Sequence, residues 1–171
     1  MIVLGINFKH GDSSACLIKN DKILSAIEEE RFIGIKHCSH FPINSIKYCL
    51  VQNNIEITDV DYIAINSLFS YNLKDKFIFL LKNLKNFYND FSISLKANIA
   101  SKELYNIFKI NLKDKIVSVP HHLSHVFSTI FFEKPNKDVL VYSFDGSGDF
   151  STKEIYLGNI ESLKLIQKNI F

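Results

Sequence analysis

A partial internal repeat constrains this chain's fold more than any other feature. Residues 2–30 read as strand, polar turn, strand, strand, and the same order returns at 139–168. In the first copy the apolar run Ile2 to Phe8 ends in a Gly-containing turn, Lys9 to Ser14. Ala15 to Ile18 follows, and Asn20-Asp21 suits a two-residue hairpin turn into Ile23 to Ile27. In the second copy Val139 to Phe144 runs into the turn Asp145-Gly146-Ser147-Gly148-Asp149, and Thr152 to Leu157 and Leu163 to Gln167 complete the set. Duplicated strand-rich halves predict an α/β molecule of two lobes, 1–137 and 138–171. The second copy stops without a helix to cover its sheet, and an exposed apolar sheet is costly. The expectation is therefore a piece of a longer protein, cut inside its second lobe.

Between the copies the pattern changes period. Phe41-Pro42 opens a helix whose apolar stripe is Ile43, Ile46, Leu50 and Val51. Tyr62 to Ile65 is a strand, and Phe77, Leu80, Leu81, Leu84, Phe87, Tyr88 and Phe91 recur at spacings of three and four, which predicts an amphipathic helix. Ile116 to Val119 is a strand of buried type, and Pro120 starts another helix. Eight lysines stand against three acids (Asp75, Asp90, Glu103) between residues 72 and 113. A solvated helix surface explains that excess better than a nucleic-acid face, because the net charge of the whole chain is only +2. The three cysteines, Cys16, Cys38 and Cys49, are odd in number and lack a CxxC spacing, which points to reduced thiols and a cytoplasmic setting. The amino terminus has no basic region followed by a long apolar stretch, and no run approaches the ~18 apolar residues of a membrane span. No membrane partner is expected.

His121-His122-Leu123-Ser124-His125 is the sharpest local motif. Residues i and i+4 share a helix face, so His121 and His125 can aim at one centre. Two imidazoles at that spacing suit Zn²⁺ or Fe²⁺ when a carboxylate completes the set, and a structural pair is the alternative. Asp145, at the end of the next strand, is placed to supply that carboxylate. His122 points elsewhere on the helix, toward a supporting or surface role. The Asp-Gly-Ser-Gly turn admits two readings, an anion-binding nest built from Gly146, Ser147 and Gly148, or a plain hairpin turn. The turn of the first copy, His10-Gly11-Asp12-Ser13-Ser14, offers an imidazole, a carboxylate and two hydroxyls. Polar turns at matching places in two repeats suggest a cleft with a nucleotide phosphate lying across it. His37-Cys38-Ser39-His40 is a poor metal site, since adjacent ligands rarely close a tetrahedron. Glu28 to Arg31 reads as a charged strand end. No GxSxG turn is present to present a serine nucleophile.

With these residues in view, the chain resembles the carbamoyltransferase family that includes nodulation and antibiotic-tailoring enzymes. The resemblance is carried by LGIN (4–7), HGDSSACLIKNDKI (10–23), AIEEERFIGIKH (26–37) with Phe41-Pro42, PHHLSH (120–125) and FDGSGD (144–149). The stretch from about 67 to 115 matches only loosely. The resemblance implies the actin-like ATPase fold (ASKHA, ribonuclease H-like), here its first lobe plus the start of the second. It also implies a carboxyl-terminal YrdC-like domain that makes carbamoyl adenylate from carbamoyl phosphate and ATP. The lobe pair would then pass the carbamoyl group to a hydroxyl of a sugar or natural-product acceptor.

By the same resemblance His121, His125 and Asp145 bind a divalent metal, with Fe²⁺ favoured over Zn²⁺ or Mg²⁺, and a further aspartate ligand comes from beyond this segment. His10 matches the histidine that acts near the carbamoyl group and the acceptor hydroxyl. Asp12, Ser13, Lys36, Gly146, Ser147 and Gly148 are the residues expected around ATP or the adenylate. Two departures stand out: the turn reads His-Gly-Asp where many members read His-Asp, and Gly34 stands where the family often has Arg. The rivals are a tRNA threonylcarbamoyl transferase of the same fold and a non-catalytic nucleotide-binding or interaction module. Transfer to tRNA would favour the first, and an absence of metal and adenylate binding a pure interaction module. Acceptor identity is open, as is whether the protein is a homo-oligomer.

Overall fold

The computed structural model describes residues 1–68, 70–74 and 95–170. The amphipathic helix expected over Phe77 to Phe91 lies outside the described residues. The chain forms two compact units, Met1–Asn66 with Leu95–Ser118, and Ser67–Ser94 with Val119–Phe171.

In the first unit β1 (Ile2–Asn7), β2 (Ser14–Lys19) and β3 (Lys22–Glu28) make an antiparallel meander, with Gly5 opposite Cys16 and Ala15 opposite Ile27. Lys19 pairs with Lys22, so Asn20-Asp21 is the two-residue turn that the sequence predicts. Both residues have positive φ, 47° and 62°, which Asn and Asp tolerate better than other side chains and which matches the strand twist. β4 (Tyr62–Ile65) then adds parallel to β1, and β5 (Ile116–Ser118) parallel to β4, giving the order β3-β2-β1-β4-β5. Parallel neighbours need crossovers, and α2 (Ile43–Gln52) and α3 (Lys96–Phe108) lie in those connections. Alternation decides the core: Leu4 and Ile6 of β1, Leu17 of β2, and Ile63 and Ile65 of β4 meet Ile46, Cys49 and Leu50 of α2 and Ala100 and Leu104 of α3. Short α1 (Glu30–Ile33) follows β3 and ends at Gly34, whose φ of 70° makes the left-handed stop.

The acidic run after β3 has distinct jobs. Glu28 pairs with Arg31 at 2.9 Å on the surface, and Glu30 accepts the His37 amide at 3.2 Å. Glu29 is buried and accepts from the amides of Asn44 (3.1 Å) and Ser45 (2.8 Å), and from the Asn44 side-chain amide and the Ser45 hydroxyl. Pro42 occupies the N-cap of α2 and offers no side-chain acceptor, so a carboxylate from fifteen residues earlier satisfies the first-turn amides. More than a charged strand end, the segment is a helix cap.

The second unit carries α4 (His121–Glu133) and a meander of β6 (Val139–Gly148), β7 (Ser151–Gly158) and β8 (Leu163–Ile170), all antiparallel. It repeats the β1-β2-β3 order in sequence and in pairing. One boundary differs from the sequence expectation. Residues 145–148 continue β6 past a register shift, and the turn is the pair Asp149-Phe150, with φ of 48° and 67°. Gly148 pairs with Ser151, which leaves two residues to close the hairpin; a two-residue turn matches strand twist better than a five-residue one. After β5 the chain passes into the second unit at Val119. The cause is α4, which buries Val126 and Ile130 against Tyr156 of β7, with Leu123, Val141 and Leu163 at the margin.

Candidate metal centre

Three side chains of the second unit converge. His121 and His125 stand one turn apart on α4, and their Nε2 atoms are 3.0 Å apart. Asp145, on β6, places Oδ2 2.5 Å from His121 Nε2 and 4.0 Å from His125 Nε2. This is the one group among the described residues whose donor atoms could share an ion, all three atoms lying within 4.8 Å of one another. His121 is buried, Asp145 is one-third exposed, and His125 is half open to solvent. The centre thus has a closed side and an accessible side.

Local chemistry aims each donor. The Gly146 amide donates to Asp145 Oδ1 at 2.6 Å, which turns Oδ2 toward the imidazoles. Burial raises the Asp145 carboxyl, but the Gly146 amide and the facing His121 and His125 outweigh it and hold the group below its usual range. Burial, then the neighbouring His121, lowers His125, so its ring is neutral at physiological pH. Lone pairs of two imidazole nitrogens and a carboxylate oxygen repel at these separations unless a proton or a cation lies among them. A two-nitrogen, one-oxygen set with an accessible side fits a divalent first-row ion.

His122 faces away from this centre and is buried. Its Nε2 donates to the Ser151 carbonyl at 2.9 Å, and its Nδ1 accepts from the Ser143 hydroxyl at 2.7 Å. A carbonyl can only accept, so the pairing fixes the tautomer and ties α4 to β6 and β7.

A family model described as carbamoyltransferase N-terminus matches residues 2–170. The chain belongs to that family. Its relatives by sequence include the nodulation protein NolNO of Sinorhizobium fredii, 31% identical over 160 residues that cover 92% of this chain and 22% of that protein. An uncharacterized Synechocystis protein is 32% identical, with 91% of this chain and 27% of that one covered. One from Methanocaldococcus jannaschii is 31% identical, with 98% and 26% covered. The chain therefore spans about a quarter of the length of the curated relatives it matches. Among solved structures, YeaZ from Pseudomonas aeruginosa aligns with 99% of this chain and 66% of its own at a TM-score of 0.52 and 8% identity. A second structure, titled as similar to peptidase YEAZ from the same organism, aligns at 0.51 and 9%, covering 99% and 65%. At such identities the likeness shows the fold alone: this family member has the actin-like ATPase fold.

The remaining residues singled out in this carbamoyltransferase-family chain divide between the units. His10, Asp12 and Ser13 lie in the β1–β2 loop of the first unit, and Lys36 is exposed in the loop after α1. Asp12, at a positive φ of 65°, pairs with His37 Nδ1 at 2.9 Å, and its carbonyl accepts from Asn7. The hydrogen bond to Asp12, and that carboxylate's charge, raise His37 above its ordinary value. Ser13 is fully buried, its backbone bonded to Cys38 and Glu29. Gly146, Ser147 and Gly148 lie within β6, and the Gly146 amide is engaged by Asp145. The sequence reading missed Glu29 and Asp149 as organising residues. A signal existed for both: an acid three or more residues before a helix with no capping side chain, and an Asp at the first position of a two-residue turn. No helix among the described residues is long and apolar enough to cross a membrane.

Proposed function

We infer that this chain is the carbamoyl-transferring part of an O-carbamoyltransferase, and that His121, His125 and Asp145 hold a divalent metal in it. The observation that carries the reading is the convergence of those three donors within 4.8 Å, in a chain whose residues 2–170 match the family. The donor would be carbamoyl adenylate, made from carbamoyl phosphate and ATP elsewhere in the complete protein, and the acceptor a hydroxyl of a sugar or natural product. The metal, with Fe²⁺ favoured, would supply positive charge for the phosphate of the adenylate. The acceptor oxygen attacks the carbamoyl carbon, the bond from that carbon to the phosphate oxygen breaks, AMP leaves, and His10 takes the hydroxyl proton.

The other residues have supporting parts. Asp145, held below the usual carboxylate range, and His125, lowered by burial, are in the protonation states that metal ligation requires. Gly146 keeps Asp145 Oδ2 on the imidazoles, and the backbone at Ser147 and Gly148 follows on the same strand as a surface for phosphate oxygens. Asp12, Ser13 and Lys36 belong to the adenylate's surroundings. Three unpaired cysteines agree with a reducing, cytoplasmic setting.

The test is metal content and carbamoyl transfer in the complete protein, wild type against His125→Ala. His125 is half exposed, so the variant should fold. It should lose bound metal and transfer together. Full metal occupancy in the variant would remove the metal reading, and transfer at the wild-type rate without metal would remove the metal from the reaction.

A further inference from the structure

The geometry assigns to Asp149 the role of positioning residue for the metal helix, gripping the main chain of the same histidine whose ring Asp145 faces. The inference rests on the metal reading of His121, His125 and Asp145 and adds to it a residue that does not touch the ion.

Asp149 opens the β6–β7 turn, four residues after Asp145. Its Oδ2 accepts the His121 amide at 2.8 Å and the Leu68 amide at 3.2 Å, and its Oδ1 accepts the Ser67 hydroxyl at 3.0 Å. The Asn72 side chain donates to its main-chain oxygen at 2.9 Å. Pro120 stands at the N-cap of α4 and has no side chain to receive a first-turn amide, so this carboxylate does that work from outside the helix. His121 is thereby held at two points by one hairpin. Asp145 meets Nε2 of the ring, and Asp149 meets the backbone nitrogen. With both fixed, the ring has little freedom to leave the position in which its Nε2 faces His125.

The segment Ser67 to Asn72 is locked to the same turn by independent contacts. Tyr71 donates to both carboxylate oxygens of fully buried Glu154, at 3.0 and 3.1 Å, and Tyr156 donates to Oε2 of the same carboxyl. Lys168 bonds the Asn72 side-chain oxygen and lies over the Tyr71 ring, 5.1 Å from its centroid. Asp149 is where this anchored segment, the hairpin turn and the start of α4 meet. Outer residues that orient a metal-binding histidine commonly change metal affinity by 10–100-fold when replaced.

The experiment is Co²⁺ titration of the chain, followed by the visible d–d absorption, at a temperature where wild type and variant are both fully folded by circular dichroism. Asp149→Gly keeps a residue that accepts the positive φ and removes the carboxylate, so the amides of His121 and Leu68 lose their acceptor. The expected result is a 10–100-fold weaker Co²⁺ affinity with an altered d–d envelope. Glu161→Gln, which removes an exposed carboxylate in the β7–β8 turn of the same unit, should leave both readouts unchanged. A merely structural role would lower the melting temperature of the metal-free chain and leave affinity in the folded state as in wild type; that result overturns the assignment. Should Asp149→Gly fail to fold, Ser67→Ala removes one bond to the same carboxylate and should weaken Co²⁺ binding in the same direction; wild-type affinity there overturns it too. Wild type that binds no Co²⁺ overturns the metal reading and this one together, whereas Co²⁺ bound equally by wild type and Asp149→Gly overturns only this one.

Discussion

The two units start from the same three-stranded meander, and their described residues pack against it differently. In the first, β1-β2-β3 is extended by two parallel strands and backed by α2 and α3, and its core holds fifteen buried apolar residues among those described. In the second, β6-β7-β8 carries one described helix, and the corresponding cluster among the described residues holds Val126, Ile130 and Tyr156. The described residues buried there include polar ones: His122 between Ser143 and Ser151, and Glu154 beneath two phenols. The other face of that sheet presents Leu140, Tyr142, Phe144 and Leu157 to solvent. The difference teaches where chemistry can sit. A core that is stable by area alone needs no polar groups, while one built on directed hydrogen bonds fixes side-chain orientation, which a set of three metal donors requires.

The comparison can be broken most directly at Leu4. It is fully buried on the central strand β1, and Leu4→Ala should cost about 3–5 kcal/mol in urea unfolding followed by circular dichroism. An unchanged midpoint would mean that the first unit is not held by its apolar core. In the second unit Tyr156→Phe keeps the ring and removes one donor from Glu154, which should cost about 1–3 kcal/mol. Burial, and then Glu154, pushes the Tyr71 phenol up to about 12 and raises Tyr156 still further, so both hydroxyls keep their protons across the ordinary pH range. The Tyr156→Phe loss should therefore be the same at pH 6 and pH 9; a loss that vanishes at either pH would show that the network titrates.

The smallest effect belongs to His37 and Asp12. That pair is exposed, and it raises the His37 pKa above 6.5. A raised folded-state value stabilises below the unfolded pKa, and the contribution fades as pH climbs through the folded value. An NMR titration of the His37 ring should give a midpoint above 6.5, and Asp12→Asn should bring it down. An unmoved midpoint in the variant would show that the pair does not form in solution.

Much of this was legible in the chain itself, and particular residues show why. Alternation picked out β1 to β4 to within a residue or two, because a half-buried strand writes its burial every second position. Asn20-Asp21 announced its turn through two side chains that tolerate positive φ. His121 and His125 announced a shared face because helical spacing is local and exact in period. The end of β6 was not legible, since Gly and Ser favour turns in isolation and only pairing with β7 draws residues 145–148 into the strand. Glu29 was equally hidden: an acid at a strand end looks solvated until a helix lacking its own cap settles over it.

The sequence by itself determined the repeated meander, the helix face carrying two imidazoles, and Asp145 as the carboxylate expected beside them. Those rest on periodicity and turn chemistry, which act over a few residues. Tertiary structure decided that His122 is a buried strut and that Asp149 takes the first amide of α4 from 28 residues away. Such choices depend on which buried amide lacks a partner once the elements have packed. No local pattern records that, because the missing partner is defined only by the packed neighbour.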